Sequence, residues 1–590
     1  MHLIRMEFSQ IQKFIFRVPR LKAMVGANRQ IGLLMQKYLP ELVEPHKAAW
    51  TPPHDILKII KHFETIEEKL LGEKLEDMAE HFSKGLLHAA GGHFECLIQD
   101  DSPNLGLLQE MFRNLTSQET PGLKILVSGA KLAEGDPFEI TDSDLSDDIG
   151  KQKYSEVSPE KIAPGFPFRH PCTDIGTEIA IYPWEESPQL PAESKVIRRI
   201  GPTVKKLFEA ARKTNAQDLG SRIEKIIAKK QYGADEFEFP TEFDDFFYED
   251  KDKYLAIIHA DTNKMGELFR EFKQKNSLEQ KPYLEAAVLA ESFYVRNRFC
   301  NRLAVIQALL STNIRLLEKK GKKIIPWRIL MLGGDDLLMV MRAWDVFPFL
   351  IAYARWYEFL VGAGAGDLGR FGKSPPAVVC RLSPADRDFL QSQSNEKGPL
   401  SFKVGTALVP VNFPFVTSHA LAEELASEAR PLSYQQKVSV GDWALITTAN
   451  IDALESLRGR EHHIPTTAGL LVLRRPRPLL KGSGQGRSLE ELWDLAKRIY
   501  LSTVSKSGTD PENARVARSK LKMLRSALQQ GREETELVCL ELLQHLKDSA
   551  RQLPPEIEEI LKNPWQQNHG QWETDLLEII ELVDLAAKYA

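Results

Sequence analysis

The stretch Trp327-Arg328-Ile329-Leu330-Met331-Leu332-Gly333-Gly334-Asp335-Asp336-Leu337-Leu338-Met339-Val340-Met341 leaves few folds open. Two apolar runs, each of strand length and too short for a buried helix, flank a Gly-Gly-Asp-Asp tip; this is the pattern of a β-hairpin buried on both faces. Paired glycines permit positive φ and the close approach of another backbone or a ligand. Adjacent carboxylates at the end of a core hairpin repel each other unless a cation sits between them. Oxygen-only ligation suits Mg²⁺ or Mn²⁺, which takes one or two carboxylates and completes its shell with water and phosphate oxygens. The simpler reading is a turn with two solvated aspartates, since Gly and Asp are common turn residues.

A second segment bears on that choice. Tyr254-Leu255-Ala256-Ile257-Ile258-His259-Ala260-Asp261 reads as an apolar strand ending on a carboxylate, and Thr262-Asn263-Lys264-Met265-Gly266 turns it toward a helix. A long helical pattern follows, opening at Pro282, carrying Phe299, Leu303, Ile306, Leu310 and Leu317 on one face, and stopping at Gly321. In a βαββ sheet the first strand and the hairpin lie side by side, so Asp261 and Asp335/Asp336 are expected to converge on one metal cluster.

Composition narrows the class. At 590 residues the chain is too long for one core and suggests about four domains. A net charge of −5 argues against coating nucleic acid through bulk charge, while leaving room for local basic patches. The five cysteines are scattered without a Cys-x-x-Cys pair, which speaks for a reducing compartment and against a structural zinc built on thiolates. No leader-like start and no membrane-length apolar run are present, so a cytoplasmic protein with no membrane partner is expected.

In their order, Ala260-Asp261-Thr262-Asn263-Lys264-Met265-Gly266, Gly333-Gly334-Asp335-Asp336 and Val404-Gly405-Thr406-Ala407-Leu408-Val409 resemble the polymerase-like large subunit of type III CRISPR effector complexes. The palm domains of that family are related to nucleotide cyclases and GGDEF-type diguanylate cyclases. The resemblance implies an α+β fold: two ferredoxin-like palm domains, an intervening linker domain and a C-terminal helical bundle. The expected boundaries are a metal-free first palm at 1–165, a linker domain at 166–250, a second palm with the Gly-Gly-Asp-Asp site at 251–487, and a helical domain at 488–590. It implies synthesis of adenylate messengers from ATP, commonly cyclic oligoadenylates, switched on when the complex, with its other subunits and guide RNA, binds target RNA.

The rest of the chain is read in that frame. Leu3 to Phe8 alternates like a strand, and Ile11 opens a helical stretch to about Tyr38, interrupted at Gly26-Ala27-Asn28-Arg29, which resembles the family's small-residue turn. The family often places an HD nuclease ahead of this point, and the chain is read as lacking it. The dipeptide His54-Asp55 follows Pro52-Pro53 and reads as a helix start. Leu86 to Ile98 repeats the hairpin grammar around Gly91-Gly92 with His93-Phe94 where the acids would be, which suggests a duplication. Residues from Ser128 to about Ser158 are acidic and turn-rich and are expected to form a solvated loop. Only Cys172 and His170 stand where the family carries a Cys-rich zinc module, so no zinc is expected. The acidic-aromatic run Phe237 to Asp252 is expected to separate the linker domain from the second palm.

Nucleotidyl transfer needs a ribose hydroxyl in line with an α-phosphate and metal to neutralise charge as pyrophosphate leaves. Asp261 with Asp335 or Asp336 would hold the metal; which tip aspartate is the closer ligand stays open. The family usually has a second acid where this chain has Asn263, a departure that removes one charge. By the resemblance, Lys437 meets the triphosphate and Arg430 stands nearby. Asn263, Lys264, Met265, Gly266, Gly333 and Gly334 are further candidate nucleotide contacts, against the simpler reading of Arg430 and Lys437 as solvated cations. The basic stretches at 473–478 and 481–487 read as a solvated linker, and everything from Ser488 onward reads as helical. Two rival functions are a catalytically silent scaffold of the same complex and a free-standing nucleotide cyclase.

Overall fold

The computed structural model describes the chain except residues 49, 91, 101–104, 134, 156–181, 186–196, 201, 213–218, 234–236, 248–252, 280, 320, 362–378, 393–399, 448–453, 455–457, 459–462, 467–468, 474–475, 483–485, 504–511, 549–554, 569–570 and 590. The expected zinc-module positions His170 and Cys172 therefore lie outside the described residues.

Near the N-terminus, β1 (His2–Ser9), β2 (Leu86–Ala90), β3 (His93–Ile98) and β4 (Lys124–Lys131) form an antiparallel sheet in the order β2-β3-β1-β4. Helices α1 (Leu21–Leu33), α2 (His54–Leu71), α3 (Leu105–Glu119), α4 (Phe138–Ser155), α5 (Pro202–Arg212) and α6 (Leu219–Tyr232) accompany it. Asp55 lies in the first turn of α2, where a carboxylate faces the positive end of the helix dipole.

The second sheet comprises β5 (Tyr254–Thr262), β6 (Trp327–Leu332), β7 (Asp336–Arg342), β8 (Phe402–Pro410), β9 (Val440–Leu445) and β10 (Arg477–Pro478), in the order β6-β7-β5-β8-β9-β10. Helices α7 (Met265–Leu278), α8 (Tyr283–Ser311), α9 (Val346–Val361) and α10 (Phe415–Gln436) connect its strands. Only β8 and β9 pair in parallel, because α10 carries the chain back between them.

Its first four strands repeat the order of the N-terminal sheet, with the hairpin outside, the first strand next and the last strand beyond. Counted from Gly92 and Gly334, Phe94 stands where Asp336 stands. Phe94 lies opposite Met6, as Asp336 lies opposite Asp261. Met6 and Phe94 are fully buried, so an apolar pair occupies in one sheet the place that two carboxylates occupy in the other.

The two faces of the second sheet are covered differently. On one, Thr262 reaches the Tyr357 hydroxyl of α9 at 2.9 Å. On the other, α10 lies so close that a Cβ on Gly405 would stand 1.9 Å from the Ala422 carbonyl oxygen, so only glycine fits. Asp261 belongs to this second face, since side chains alternate along a strand and His259 is the register partner of Gly405.

Several expectations are corrected. The acidic segment after Ser128 is the end of β4 and then helix α4, not a loop: Phe138, Leu145 and Ile149 form a buried stripe hidden among the acids, and Asp142 accepts from Arg5 at 2.8 Å. The long helix ends at Ser311; Gly321, with φ of 74°, turns a small hairpin, Leu317–Lys319 against Lys322–Ile324. A helix C-cap and a tight turn both call for positive φ, so the glycine alone did not distinguish them. Gly26 interrupts nothing: it lies within α1, where a Cβ would meet the Leu207 carbonyl oxygen of α5 at 1.8 Å, and the break comes between Ile15 and Leu21, around Pro19.

The described part of the aromatic run before β5 is not left in solvent. Phe246 and Phe247 are fully buried, with Phe247 against Trp344 and Phe239 against Trp327. Nor is the basic stretch wholly solvated, for Arg477 is buried and donates to Asp575 at 2.6 Å and to Glu578 at 3.0 Å. The C-terminal part contains helices Leu489–Thr503, Glu512–Gln530, Arg532–Asp548, Pro555–Lys562 and Leu576–Tyr589, but is not all helical. A hairpin, Gln566–Asn568 and Gln571–Thr574, adds to Gly469–Leu473 in a four-stranded sheet.

Candidate metal and nucleotide site

Strand register brings the acids together. In the central three strands of the second sheet, Asp261 on β5 is the direct partner of Asp336 on β7 and of Lys403 on β8. Asp335 lies in the turn just before β7, held where the Thr262 amide donates to its carbonyl at 3.1 Å. The turn therefore bends between the two tip aspartates, and one oxygen from each of Asp261, Asp335 and Asp336 lies within 4.8 Å of the others.

The cluster is electrostatically strained without a cation. Burial, then Asp335 and Asp261, pushes Asp336 up to about 8, and burial with Asp261 raises Asp335. Lys403, itself buried, contacts the Asp261 carboxylate and offsets one of the charges. The remaining desolvated, oxygen-only donor set fits a hard divalent cation such as Mg²⁺ or Mn²⁺.

The tip is supported from α8 and α9. Asn297 donates to the Gly334 carbonyl at 2.8 Å and Asn301 to that of Gly333 at 3.4 Å, while the Tyr353 hydroxyl donates to Asn301 at 2.7 Å. A Cβ at Gly334 would stand 2.6 Å from the Tyr294 ring, which explains the second glycine. A cavity of about 310 Å³ opens over the tip; Asp335 and Asp336 share its wall with Arg298 and with Gln12, Asn28 and Gly92 of the N-terminal region.

The other candidates are placed unevenly. Asn263 is turned into the protein, 3 % exposed, its amide donating to the Ser401 and Ser433 hydroxyls at 2.9 and 2.6 Å. Lys264 adopts φ of 65°, its amide donates to the Tyr434 hydroxyl at 3.3 Å, and its ammonium lies over that ring. Met265 is buried and Gly266 exposed at the start of α7. Arg430 and Lys437 are exposed near and at the end of α10. Because Val440 pairs with Lys403, the chain enters β9 at the end of the sheet that carries the acids, so Lys437 stands at that end but outside the cluster.

Lys403, Tyr294, Asn297 and Asn301 were not among the sequence candidates. Three of them had a signal: a lysine inside an apolar strand, and two asparagines four apart on a buried helix face.

No family model matches the chain, and no curated protein matches it. Among solved structures it is similar to a Csm1–Csm4 cassette in complex with cA4, at 13 % identity and a TM-score of 0.42, covering 99 % of this chain and 70 % of that one. It is also similar to Csm1 in T. onnurineus, at 12 % identity and a TM-score of 0.44, covering 99 % of this chain and 69 % of that one. A Csm1–Csm4 cassette in complex with one ATP aligns at 13 % identity and a TM-score of 0.42, over 100 % of this chain and 70 % of that one. A likeness this shallow carries no inference about what this chain binds or makes.

Proposed function

We propose that this chain is an RNA-activated nucleotidyltransferase of a type III CRISPR complex, making cyclic oligoadenylate or a related adenylate messenger from ATP. The observation that carries the reading is the cross-strand pairing of Asp261 with Asp336, completed by Asp335, beside a cavity whose wall Asp335 and Asp336 share with the N-terminal region. The repeated strand order supports two palms: a first, without metal acids, at 1–165 and a second, catalytic, at 251–487. A linker domain at 166–250 and a largely helical domain at 488–590 complete the proposed division.

Bound Mg²⁺ or Mn²⁺ would neutralise charge at the α-phosphate and on departing pyrophosphate. Asp261, Asp335 and Asp336 hold it, and Lys403 orients the Asp261 carboxylate. Gly333, and Gly334 with the Tyr294 ring packed against it, line the tip that the nucleotide meets, while Lys264, Met265 and Gly266 offer it the amino end of α7. Arg430 and Lys437 attract the triphosphate to this end of the sheet. Asn263 acts through Ser401 and Ser433, tying the turn after β5 to α10. A second ATP, the acceptor, occupies the cavity side nearer Gln12 and Asn28, which brings the two reactants together. Other subunits of the complex, with guide and target RNA, supply activation.

The test incubates the chain, alone and in its complex, with ATP and Mg²⁺, with and without complementary RNA. RNA-dependent product that disappears on Asp335→Ala plus Asp336→Ala supports the proposal. No product from an intact complex would leave a scaffold, and product made equally without RNA would leave a free-standing cyclase.

A further inference from the structure

A second cluster lies on the same sheet face, one side-chain repeat back along β5. His259 of β5 and His419 and Glu423 of α10 each offer a donor atom within 4.8 Å of the others. His419 and Glu423 are four residues apart and so project from one face of the helix. His419 Nδ1 is 3.7 Å from Glu423 Oε2. Two ligands bound at the usual distance to one tetrahedral ion stand roughly 3.4 Å apart, so this pair is already close to a shared-ion separation.

Two observations distinguish these residues from ordinary core histidines. His259 is 9 % exposed and His419 4 %, yet His259 Nδ1 and His419 Nε2 have no hydrogen-bond partner. A buried imidazole nitrogen without a partner loses its hydration without return, and this occurs here on two adjacent rings, on His419 at the nitrogen across the ring from the Nδ1 that faces Glu423. The rings also pack edge to face at 5.5 Å, with Phe16 beside His419, so their positions are fixed by packing. Glu423, whose side chain is 39 % exposed, opens the cluster to solvent and accepts from Gln12 of the N-terminal helix Ile11–Ile15 at 3.3 Å.

We infer that His259, His419 and Glu423 form a second metal site, distinct from the aspartate cluster, that takes a late first-row divalent cation of the Zn²⁺ type. Two imidazole nitrogens and one carboxylate favour such an ion over Mg²⁺, which prefers oxygen donors. Three protein ligands leave a fourth position for water on the Glu423 side, next to Gln12. An ion there clamps α10 to β5 two residues before Asp261, and through Gln12 it ties the N-terminal helix to the second sheet.

The test uses the full chain, stripped with chelator and titrated with Co²⁺ in excess Mg²⁺. One equivalent of Co²⁺ is expected to give a visible d–d band that Zn²⁺ abolishes and that Asp335→Asn plus Asp336→Asn leaves intact. His419→Ala is expected to weaken Co²⁺ binding by at least about 100-fold, and Glu423→Gln, at a partly exposed position that leaves folding intact, by at least about 10-fold. Absence of the band in the wild type, or its loss in the aspartate variant with retention in Glu423→Gln, overturns the inference.

Discussion

Replacing Asp336 by Asn should change how stability depends on pH, because Asp336 has a pKa of about 8 in the folded chain against an ordinary 3.8. Between those values the folded state holds a proton that the unfolded chain has released, so stability falls as pH rises. The group's contribution is fully present below pH 3.8 and is lost as pH passes 8. Over the roughly three units up to pH 7 the loss is on the order of 4 kcal/mol, at 1.36 kcal/mol per unit, and the raised Asp335 acts in the same direction. A divalent cation reverses this by binding the ionised form, adding about 2.7 kcal/mol at a hundred times its Kd. Unfolding midpoints measured from pH 5 to 8, in chelator and in excess Mn²⁺, give the comparison. In chelator, Asp336→Asn should gain on wild type as pH rises, and its Mn²⁺ shift should largely vanish. An equal pH slope and an equal Mn²⁺ shift in the two proteins would refute the reasoning.

Gly334→Ala drives a Cβ into the Tyr294 ring and should cost about 1–3 kcal/mol in thermal stability. Turnover of ATP should fall more than about tenfold, with part recovered by adding Tyr294→Ala. Lys403→Met leaves the Asp261 carboxylate without its partner, so the metal-free chain should lose about 3–5 kcal/mol while half-saturation by Mg²⁺ moves to lower concentration. Arg477→Met takes the buried guanidinium from Glu578 and from Asp575, which keeps Arg487 at 2.9 Å, and should cost about 3 kcal/mol, seen as easier proteolysis of the C-terminal part, with Mn²⁺ affinity unchanged.

The acids were legible because they end apolar strands, and a carboxylate at such a position is conspicuous against its neighbours. The hairpin order was legible for the same reason: β-runs of this apolarity belong in the middle of a layer. Where the sequence misled, one residue type served two geometries. Gly321 suited a helix end and a tight turn alike, and the acids of α4 hid the stripe of Phe138, Leu145 and Ile149. Lys403 escaped because its meaning lies in register: only when β8 is laid beside β5 does it face Asp261. Arg477 escaped similarly, since Asp575 and Glu578 stand about a hundred residues later in the chain. Asn263, read from its place in the motif, is turned inward onto the Ser401 and Ser433 hydroxyls, partners that stand far along the chain rather than beside it in sequence.

The most direct measurement is anomalous diffraction from crystals of this protein grown with Mn²⁺ and a non-hydrolysable ATP analogue. The account predicts an Mn²⁺ peak at about 2.1–2.2 Å from carboxylate oxygens of Asp261 and of at least one of Asp335 and Asp336, with the analogue's phosphates completing its shell. A nucleotide bound with no peak between these three residues, or Mn²⁺ bound only elsewhere on the chain, would contradict it.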